Sequence, residues 1–155
     1  MSTKKQNIYL IVENVRSLFN VGSFFRCADV FGISKIYLCG YTGTPPRKEI
    51  SKVALGAEEI IDWEHKRSAL RLVKRLQQSG VLVVALETGA KAVRLDDFKP
   101  RYPLAVVVGN EVEGVSAEIL KAVDKIVTIP MVGKKESLNV SVAAGVAMYA
   151  LRFKK

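Results

Sequence analysis

Asparagine and arginine side chains cluster between residues 14 and 26, directly after the first apolar segment of the chain. The cluster consists of Asn14, Arg16, Asn20, Gly22 and Arg26. Gly22 lies one helical turn before Arg26, so the two share a helix face and the glycine leaves space beside the arginine. Arg26 has apolar neighbours, and we expect it to be partly buried and to need an anionic partner. That partner is either a phosphate or other substrate anion, or an internal carboxylate such as Glu13 or Glu111.

A glycine-rich loop with two carboxylates follows the apolar segment Leu104–Val108. Its sequence is Gly109-Asn110-Glu111-Val112-Glu113-Gly114. In a basic protein, a carboxylate here suggests an orienting partner for an arginine, whereas a general base would need a raised pKa. The chain has no GxGxxG motif after its first strand and no GxxxxGK[ST] motif, so neither a dinucleotide-binding fold nor a P-loop is indicated.

The third polar group lies in residues 129–145, where an apolar segment leads through a proline and a glycine into a small-residue helix. Lys134 and Lys135 make the turn basic, and Ser137 and Asn139 are residue types that favour helix starts. A strand end, a flexible turn and a polar helix N-terminus commonly hold a ligand in an open α/β sheet. The alternative is a helix whose Ser and Asn side chains only cap its free amides.

Hydrophobic periodicity predicts the elements that position these groups. Strands are expected at Asn7–Val12, Ile33–Cys39, Glu59–Trp63, Val81–Leu86, Leu104–Val108 and Lys125–Ile129. Helices are expected at Leu18–Phe31, Ile50–Leu55, Glu64–Gln78, Ser116–Val123 and Leu138–Phe153. Alternating strands and helices predict a single α/β domain over residues 1–155, with a mostly parallel sheet flanked by helices. Because parallel strands end at one edge, the three polar groups are expected to converge there.

The composition is that of a folded basic protein, with 49% hydrophobic residues and a net charge of +9. Such an excess of Lys and Arg favours a polyanionic partner, nucleic acid first. No apolar run approaches the roughly 18 residues of a membrane span, and we expect no membrane association, no signal peptide and a cytoplasmic location. Cys27 and Cys39 are too few and too far apart for a zinc site and His65 is the only histidine, so we expect no metal site and two reduced, buried thiols.

Taken in order, the three groups resemble the three motifs of the SpoU/TrmH family of RNA ribose 2′-O-methyltransferases, in the SPOUT superfamily. The matching stretches are Asn14-x-Arg16-x3-Asn20-x-Gly22-x3-Arg26, Gly109-Asn110-Glu111-x-Glu113-Gly114-x-Ser116, and Ile129-Pro130-Met131 followed by Ser137-Leu138-Asn139-Val140-Ser141. The resemblance covers nearly the whole chain. It implies a C-terminal deep trefoil knot, a homodimer and S-adenosylmethionine bound in the knot.

The resemblance also implies roles for individual residues. The cofactor-binding residues would be Leu86, Glu87, Gly109, Ile129, Met131, Ser137 and Leu138. The catalytic residues would be Arg26, Asn20, Glu111, Ser137 and Asn139. The residues that contact substrate RNA would be Arg16, Asn14 and Arg26, and the second copy is a candidate source of Arg16.

The chemistry that the resemblance implies is transfer of a methyl group from a sulfonium to a ribose 2′-hydroxyl, most of it by positioning. Arg26 would either withdraw the hydroxyl proton or bind the adjacent phosphate and stabilise alkoxide charge. Asn20 and Asn139 would fix the ribose and Arg26, and Glu111 would orient an arginine or the third motif's backbone. Val112 departs from the family, which usually has glycine after the motif-two glutamate.

The expected substrate is tRNA, with rRNA next, recognised by the basic surface of the catalytic domain. One alternative is a catalytically inactive RNA-binding protein that keeps the fold. Another is an α/β protein that binds a small nucleotide, which would leave the net charge of +9 unexplained. The role of the basic segment Glu64–Gln78 stays open between an RNA-facing surface and a solvated outer helix.

Overall fold

Seven parallel strands form one sheet in the computed structural model, which describes residues 6–155. The strands are β1 (Ile8–Glu13), β2 (Lys35–Cys39), β3 (Trp63–Lys66), β4 (Leu82–Leu86), β5 (Val93–Arg94), β6 (Leu104–Val108) and β7 (Lys125–Thr128). Their order across the sheet is β3-β2-β1-β6-β4-β7-β5, and every pairing is parallel. All strand ends that carry the polar motifs therefore lie at one edge.

Helices cover both faces of this sheet. They are α1 (Leu18–Val30), α2 (Lys48–Ala54), α3 (Ala57–Ile60), α4 (Ala69–Gln78), α5 (Ala117–Ala122) and α6 (Val140–Phe153). Since side chains alternate along a strand, Leu10 and Val12 of β1 pack with α1, α2, α3 and α6, while Ile11 packs with α4 and α5. None of the helices within residues 6–155 is long and apolar enough to cross a membrane.

The architecture confirms the predicted α/β class with a parallel sheet between helical layers. Strand β6 has the predicted bounds, because its five residues are all buried and all apolar, as a central parallel strand requires. The trefoil knot remains a prediction from the resemblance.

The region between β2 and α4 differs from the prediction. The expected strand Glu59–Trp63 and the expected helix start at Glu64 are both wrong: the chain forms α3, then β3, and only then α4. Helix α4 begins after Ser68, whose Oγ accepts a hydrogen bond from the backbone amide of Arg71 at 3.2 Å. Strand β3 lies at the sheet edge, where half-exposed polar residues hide the strand pattern that burial normally reveals.

Candidate active site

A cavity of about 430 Å³ lies at the carboxyl edge of the sheet, where β4, β6 and β7 end. The loops after these three strands and the first turn of α6 form its walls. The structure brings together in its lining all the residues expected to bind the cofactor: Leu86, Glu87, Gly109, Ile129, Met131, Ser137 and Leu138. Sequence motifs two and three therefore share one cavity with the loop after β4.

The loop after β6 folds back on itself, and glycine makes this possible. Asn110 and Gly114 exchange backbone hydrogen bonds of 3.1 and 2.9 Å. A Cβ at Gly109 would lie 2.3 Å from the Gly114 carbonyl oxygen, so only glycine fits there. The Glu87 carboxylate, in turn, accepts a hydrogen bond from the backbone amide of Val115 at 3.0 Å and holds the loop against β4.

Val112 lies at the tip of this loop with its side chain almost fully exposed, at 93%. Asn110 Oδ1 accepts hydrogen bonds from the backbone amides of Val112 and Glu113, at 2.9 and 3.0 Å, and so fixes the turn. Among residues 6–155, the non-glycine residues with positive φ are Asn14 and Leu55. The β-branched Val112 is therefore tolerated at this position, because its backbone avoids the left-handed region.

Glu111 joins motif two to motif one. Its carboxylate accepts hydrogen bonds from the backbone amides of Arg16 and Ser17, at 2.9 and 2.8 Å, and from Asn20 Nδ2 at 3.1 Å. Burial acts to raise the pKa of Glu111, but these three donors and the residue's own backbone amide outweigh it, and the pKa lies below its ordinary value. Glu111 thus holds backbone and an amide, not the expected guanidinium or the third motif, and its lowered pKa argues against a general base.

Asn20 and Asn139 connect motif one to motif three. Asn139 Nδ2 donates to Asn20 Oδ1 at 3.4 Å, and Asn20 is buried. Asn139 Oδ1 accepts hydrogen bonds from the backbone amides of Ser141 and Val142, at 2.9 and 3.4 Å, so Asn139 is the N-cap of α6. The capping interpretation is therefore confirmed for Asn139, and the same side chain also reaches the first motif.

Arg26 is exposed on α1, and the expectation that it is partly buried is wrong. Gly22 does not make room for it either. A Cβ at Gly22 would lie 2.6 Å from the Ile50 carbonyl oxygen, so this glycine allows α2 to pack closely against α1. The cavity lining does not include Arg26, and within residues 6–155 no carboxylate lies at ion-pair distance from it.

Glu13 has a structural role that the sequence did not reveal. Its buried carboxylate accepts hydrogen bonds from the backbone amide and Oγ of Ser116, at 2.9 and 2.8 Å. Ser116 consequently precedes α5 without a side-chain cap bond. Glu13 and Glu111 are both engaged elsewhere, so of the two alternatives for the anionic partner of Arg26, the internal carboxylate is excluded for these two residues.

Arg16 lines a second, open cavity of about 500 Å³, and Asn14 is hydrogen-bonded to two other residues of its lining. Asn14 has φ +53°, a region that Asn tolerates. Its Oδ1 accepts a hydrogen bond from the backbone amide of Tyr41 at 3.1 Å, and its carbonyl accepts one from Asn110 Nδ2 at 2.9 Å. The Asn14 side chain therefore holds neighbouring loops together, while Arg16 is exposed at the cavity rim.

Neither cysteine is set up for reactivity. Burial, reinforced by Glu13, raises the pKa of the Cys39 thiol to about 12. Burial also raises the pKa of Cys27, which is half-buried, and both thiols are free. No group of three or more His, Cys, Asp or Glu side chains within residues 6–155 is arranged to hold a metal ion.

Comparison with known proteins places these features in a family. The model of the SpoU rRNA Methylase family matches residues 7–149. The chain is 31% identical over 142 residues to the 23S rRNA (guanosine-2′-O-)-methyltransferase RlmB of Vibrio parahaemolyticus, covering 92% of this chain and 57% of that protein. It is 28% identical over 150 residues to the tRNA (guanosine(18)-2′-O)-methyltransferase of Aquifex aeolicus, covering 96% of this chain and 70% of that one.

Solved structures agree with the sequence comparison. An AdoMet-bound rRNA methyltransferase from Sinorhizobium meliloti superposes with a TM-score of 0.88 at 27% identity, over 98% of this chain and 58% of that one. The A. aeolicus TrmH/SpoU tRNA modifying enzyme gives a TM-score of 0.86 at 28% identity, over 96% of this chain and 75% of that one. The chain thus spans little more than half the length of several of the relatives it matches.

Proposed function

The chain belongs to the SpoU rRNA methylase family, and on that premise we propose that it methylates a ribose 2′-hydroxyl of RNA with S-adenosylmethionine. The observation that carries the proposal is the convergence of three separate motifs on one sheet edge. Motifs two and three line the cavity, and hydrogen bonds through Glu111 and Asn139 attach motif one to it. A protein that only bound RNA would need charge, not this arrangement.

The cavity has the size and chemistry of a nucleoside site. Its volume of about 430 Å³ lies within the range of small-molecule pockets. Leu86, Ile129 and Leu138 offer apolar contact for an adenine ring, and the backbone of the loops after β4 and β6 offers donors and acceptors for the ribose. S-adenosylmethionine supplies a methyl group on a positively charged sulfonium, and the chain's residues have to position the acceptor.

Positioning falls to the hydrogen-bonded series Glu111–Asn20–Asn139. Glu111 is ionised at neutral pH and holds the start of α1, so Asn20 keeps a fixed place between motifs two and three. We assign the ribose to the two amides, and Ser137, two residues before Asn139, lies in the wall of the cofactor cavity. Fixed donors and acceptors of this kind lower the barrier chiefly through orientation.

Arg26 acts on the RNA rather than on the protein. Its guanidinium is exposed and, within residues 6–155, free of carboxylate partners. A free guanidinium is suited to bind the phosphate next to the target ribose and to stabilise charge that develops on the 2′-oxygen. Removal of the hydroxyl proton by Arg26 is the less favoured role, because a guanidinium rarely loses its own proton.

The substrate is tRNA or rRNA, and we favour tRNA. The net charge of +9 supports an RNA partner. The curated relatives include both a 23S rRNA and a tRNA methyltransferase, so their names support the class of substrate and leave the choice to experiment. A protein with this substrate works where RNA is made and processed, which for this chain we take to be the cytoplasm.

Two copies of this single methyltransferase domain associate through an apolar face that α1 and α6 share. On α6 the residues Val142, Val146, Tyr149 and Phe153 are 41–59% exposed, and the Tyr149 ring packs edge-on against Phe31 at 5.8 Å. Exposed apolar patches of this kind mark interaction sites. Sedimentation equilibrium tests the proposal: a dimer is expected, and a monomer at micromolar concentration would contradict it.

Methyl transfer to fractionated RNA tests the proposed function. Purified protein, labelled S-adenosylmethionine and RNA that lacks modifications would be incubated, and the RNA separated into tRNA and rRNA and digested to nucleosides. We expect label on a 2′-O-methylnucleoside, chiefly from tRNA. Label on a base would contradict ribose methylation. Binding of RNA without binding of S-adenosylmethionine would support the inactive RNA-binding alternative instead.

A further inference from the structure

The second cavity, at the edge of the first, has an exposed aromatic ring in its wall. Its lining consists of Arg16, Ser17, Tyr41, Asn110, Glu111, Val112 and Glu113. The last four also line the cofactor cavity, so the two openings are neighbours. Tyr41 is 57% exposed, and no aromatic pair within residues 6–155 includes it.

Tyr41 is held rigidly although its ring is exposed. Its hydroxyl accepts a hydrogen bond from Asn110 Nδ2 at 2.9 Å, and its backbone amide donates to Asn14 Oδ1 at 3.1 Å. The next residue, Thr42, is buried, and its Oγ1 donates to the Cys39 carbonyl at 2.7 Å. On the other side, a Cβ at Gly40 would lie 2.0 Å from Asn14 Oδ1, so the turn before the ring is closely packed too.

The charges around the second cavity favour the base of a nucleotide inside it and the phosphate at its opening. Glu111 and Glu113 place carboxylates in its wall, which disfavour a phosphate there. Arg16 places an exposed guanidinium at the same opening. The uncharged base is therefore the part that enters, with its phosphate at Arg16, and the Glu113 carboxylate favours a base edge that presents N–H donors.

From this geometry we infer that Tyr41 is a stacking platform for an unpaired base of the substrate RNA, with Arg16 holding that nucleotide's phosphate. The inference rests on the proposed function, because it places an RNA nucleotide beside the cofactor cavity. Stacking on an aromatic side chain is the usual way in which proteins hold unpaired bases. It needs a fixed, solvent-accessible ring, and Tyr41 provides one that is hydrogen-bonded to Asn110 of motif two.

Four variants test the inference: Tyr41→Leu, Tyr41→Phe, Tyr41→Trp and the control Tyr9→Leu. Tyr9 is a half-buried tyrosine at the amino end of β1, away from the cavity. For Tyr41→Leu we expect kcat/KM for methyl transfer to unmodified tRNA to fall about tenfold or more, the usual scale for a lost base stack. Tyr41→Trp and Tyr41→Phe keep an aromatic face but lose the hydroxyl bonded to Asn110, so they should lose less activity than Tyr41→Leu. S-adenosylmethionine binding, measured by calorimetry, stays constant in all four.

A second readout does not depend on catalysis. Stacking quenches 2-aminopurine fluorescence, so a single-stranded 12-nucleotide RNA with central 2-aminopurine should be quenched by wild type, Tyr41→Phe and Tyr41→Trp, and much less by Tyr41→Leu. If wild type quenches this RNA but transfers no methyl group, the proposed function fails and the stacking platform stands. The stacking platform is overturned if methyl transfer proceeds and Tyr41→Leu matches wild type in both methyl transfer and quenching. It is also overturned if Tyr41→Phe transfers and quenches as poorly as Tyr41→Leu.

Discussion

Polar residues are bonded inside the protein at the motif edge, which is the carboxyl edge of the sheet where the three motifs lie. On the basic face of β3 and α4 they are instead open to solvent. At the motif edge, Glu111 and Glu13 each bind donors that lie 91–103 residues away in sequence. On the basic face of β3 and α4, Arg67, Arg71 and Arg75 line an open groove of about 540 Å³. Within residues 6–155, no carboxylate lies at ion-pair distance from these three arginines.

This difference indicates that the motif edge positions the reacting groups, whereas the basic face attracts RNA. A side chain whose hydrogen bonds are all made inside the protein is fixed, and it can hold other groups at a defined place. An exposed arginine without a protein partner is free to follow a polyanion and contributes through charge alone. We therefore expect changes at the motif edge to reduce the rate of methyl transfer, and changes at the β3–α4 face to weaken RNA binding and its salt dependence.

Among the residues that form hydrogen bonds at the motif edge, the largest effect is expected from Glu111→Gln. The neutral amide offers one acceptor oxygen where the carboxylate offers two, so at least one of the Arg16 and Ser17 amides loses its partner and α1 shifts. Because a misplacement of about 1 Å can cost about a hundredfold in rate, we expect kcat for methyl transfer to fall by about that factor. Steady-state kinetics measures it, with exposed Glu118→Gln on α5 as the control. A rate equal to wild type would contradict the positioning role.

Asn139 offers a way to separate helix capping from its contact with motif one. Asn139→Ala removes both, and we expect loss of about 1 kcal/mol of unfolding free energy from the missing cap, together with reduced methyl transfer. Asn139→Asp keeps the acceptor for the Ser141 and Val142 amides but loses the Nδ2 donor to Asn20. It should be as stable as wild type in urea and still transfer slowly. An Asp variant as active as wild type would show that the contact with Asn20 is dispensable.

Combined substitution of Arg67, Arg71 and Arg75 by glutamine tests whether the basic face binds RNA phosphates. If each arginine neutralises one phosphate, the slope of log affinity for RNA against log salt should fall by about two to three. The turnover number at saturating RNA and the affinity for S-adenosylmethionine should not change. Arg94→Gln is the control, since Arg94 already pairs with Asp96 at 2.9 Å. An unchanged salt slope would make α4 only a solvated outer helix.

The smallest effect is a pH dependence of stability that comes from Glu111. Its folded-state pKa lies below the ordinary value of about 4.3. Between the two values the unfolded chain binds more protons, so the contribution of Glu111 is present above the ordinary pKa and is lost as pH falls through the folded pKa. Denaturant unfolding from pH 6 to pH 3 should show a shallower loss for Glu111→Gln than for wild type. Parallel curves would contradict the assigned hydrogen bonds.

Local patterns explain which features could be predicted from the sequence. Strand β6 is uniformly apolar because both its faces are buried, and Asn139 is a residue type that caps helices. The contacts of Glu111, in contrast, depend on which loops meet at the sheet edge. The sequence suggested Glu111 as a partner for an arginine side chain, whereas the structure shows it bound to the backbone amides of Arg16 and Ser17 and to the Asn20 side chain.

Arg26 and β3 show where local patterns fail. The apolar neighbours Phe24 and Phe25 are fully buried, yet Arg26 points to solvent, because one step along a helix turns the side chain by about 100°. Strand β3 has the polar sequence Trp-Glu-His-Lys and forms only because β2 pairs with it. The sequence did not indicate a role for Tyr41, because a tyrosine in a Gly/Pro loop belongs to no hydrophobic periodicity and to none of the three motifs.

Single-turnover methyl transfer by Arg26 variants tests the central claim most directly. Wild type, Arg26→Lys and Arg26→Ala would be mixed in excess with tRNA and labelled S-adenosylmethionine, and cofactor binding would be measured on the same preparations. We expect the rate of 2′-O-methylnucleoside formation to fall about a hundredfold or more for Arg26→Ala, and markedly for Arg26→Lys, while cofactor binding persists. Transfer by Arg26→Ala at the wild-type rate would contradict a role for Arg26 in catalysis.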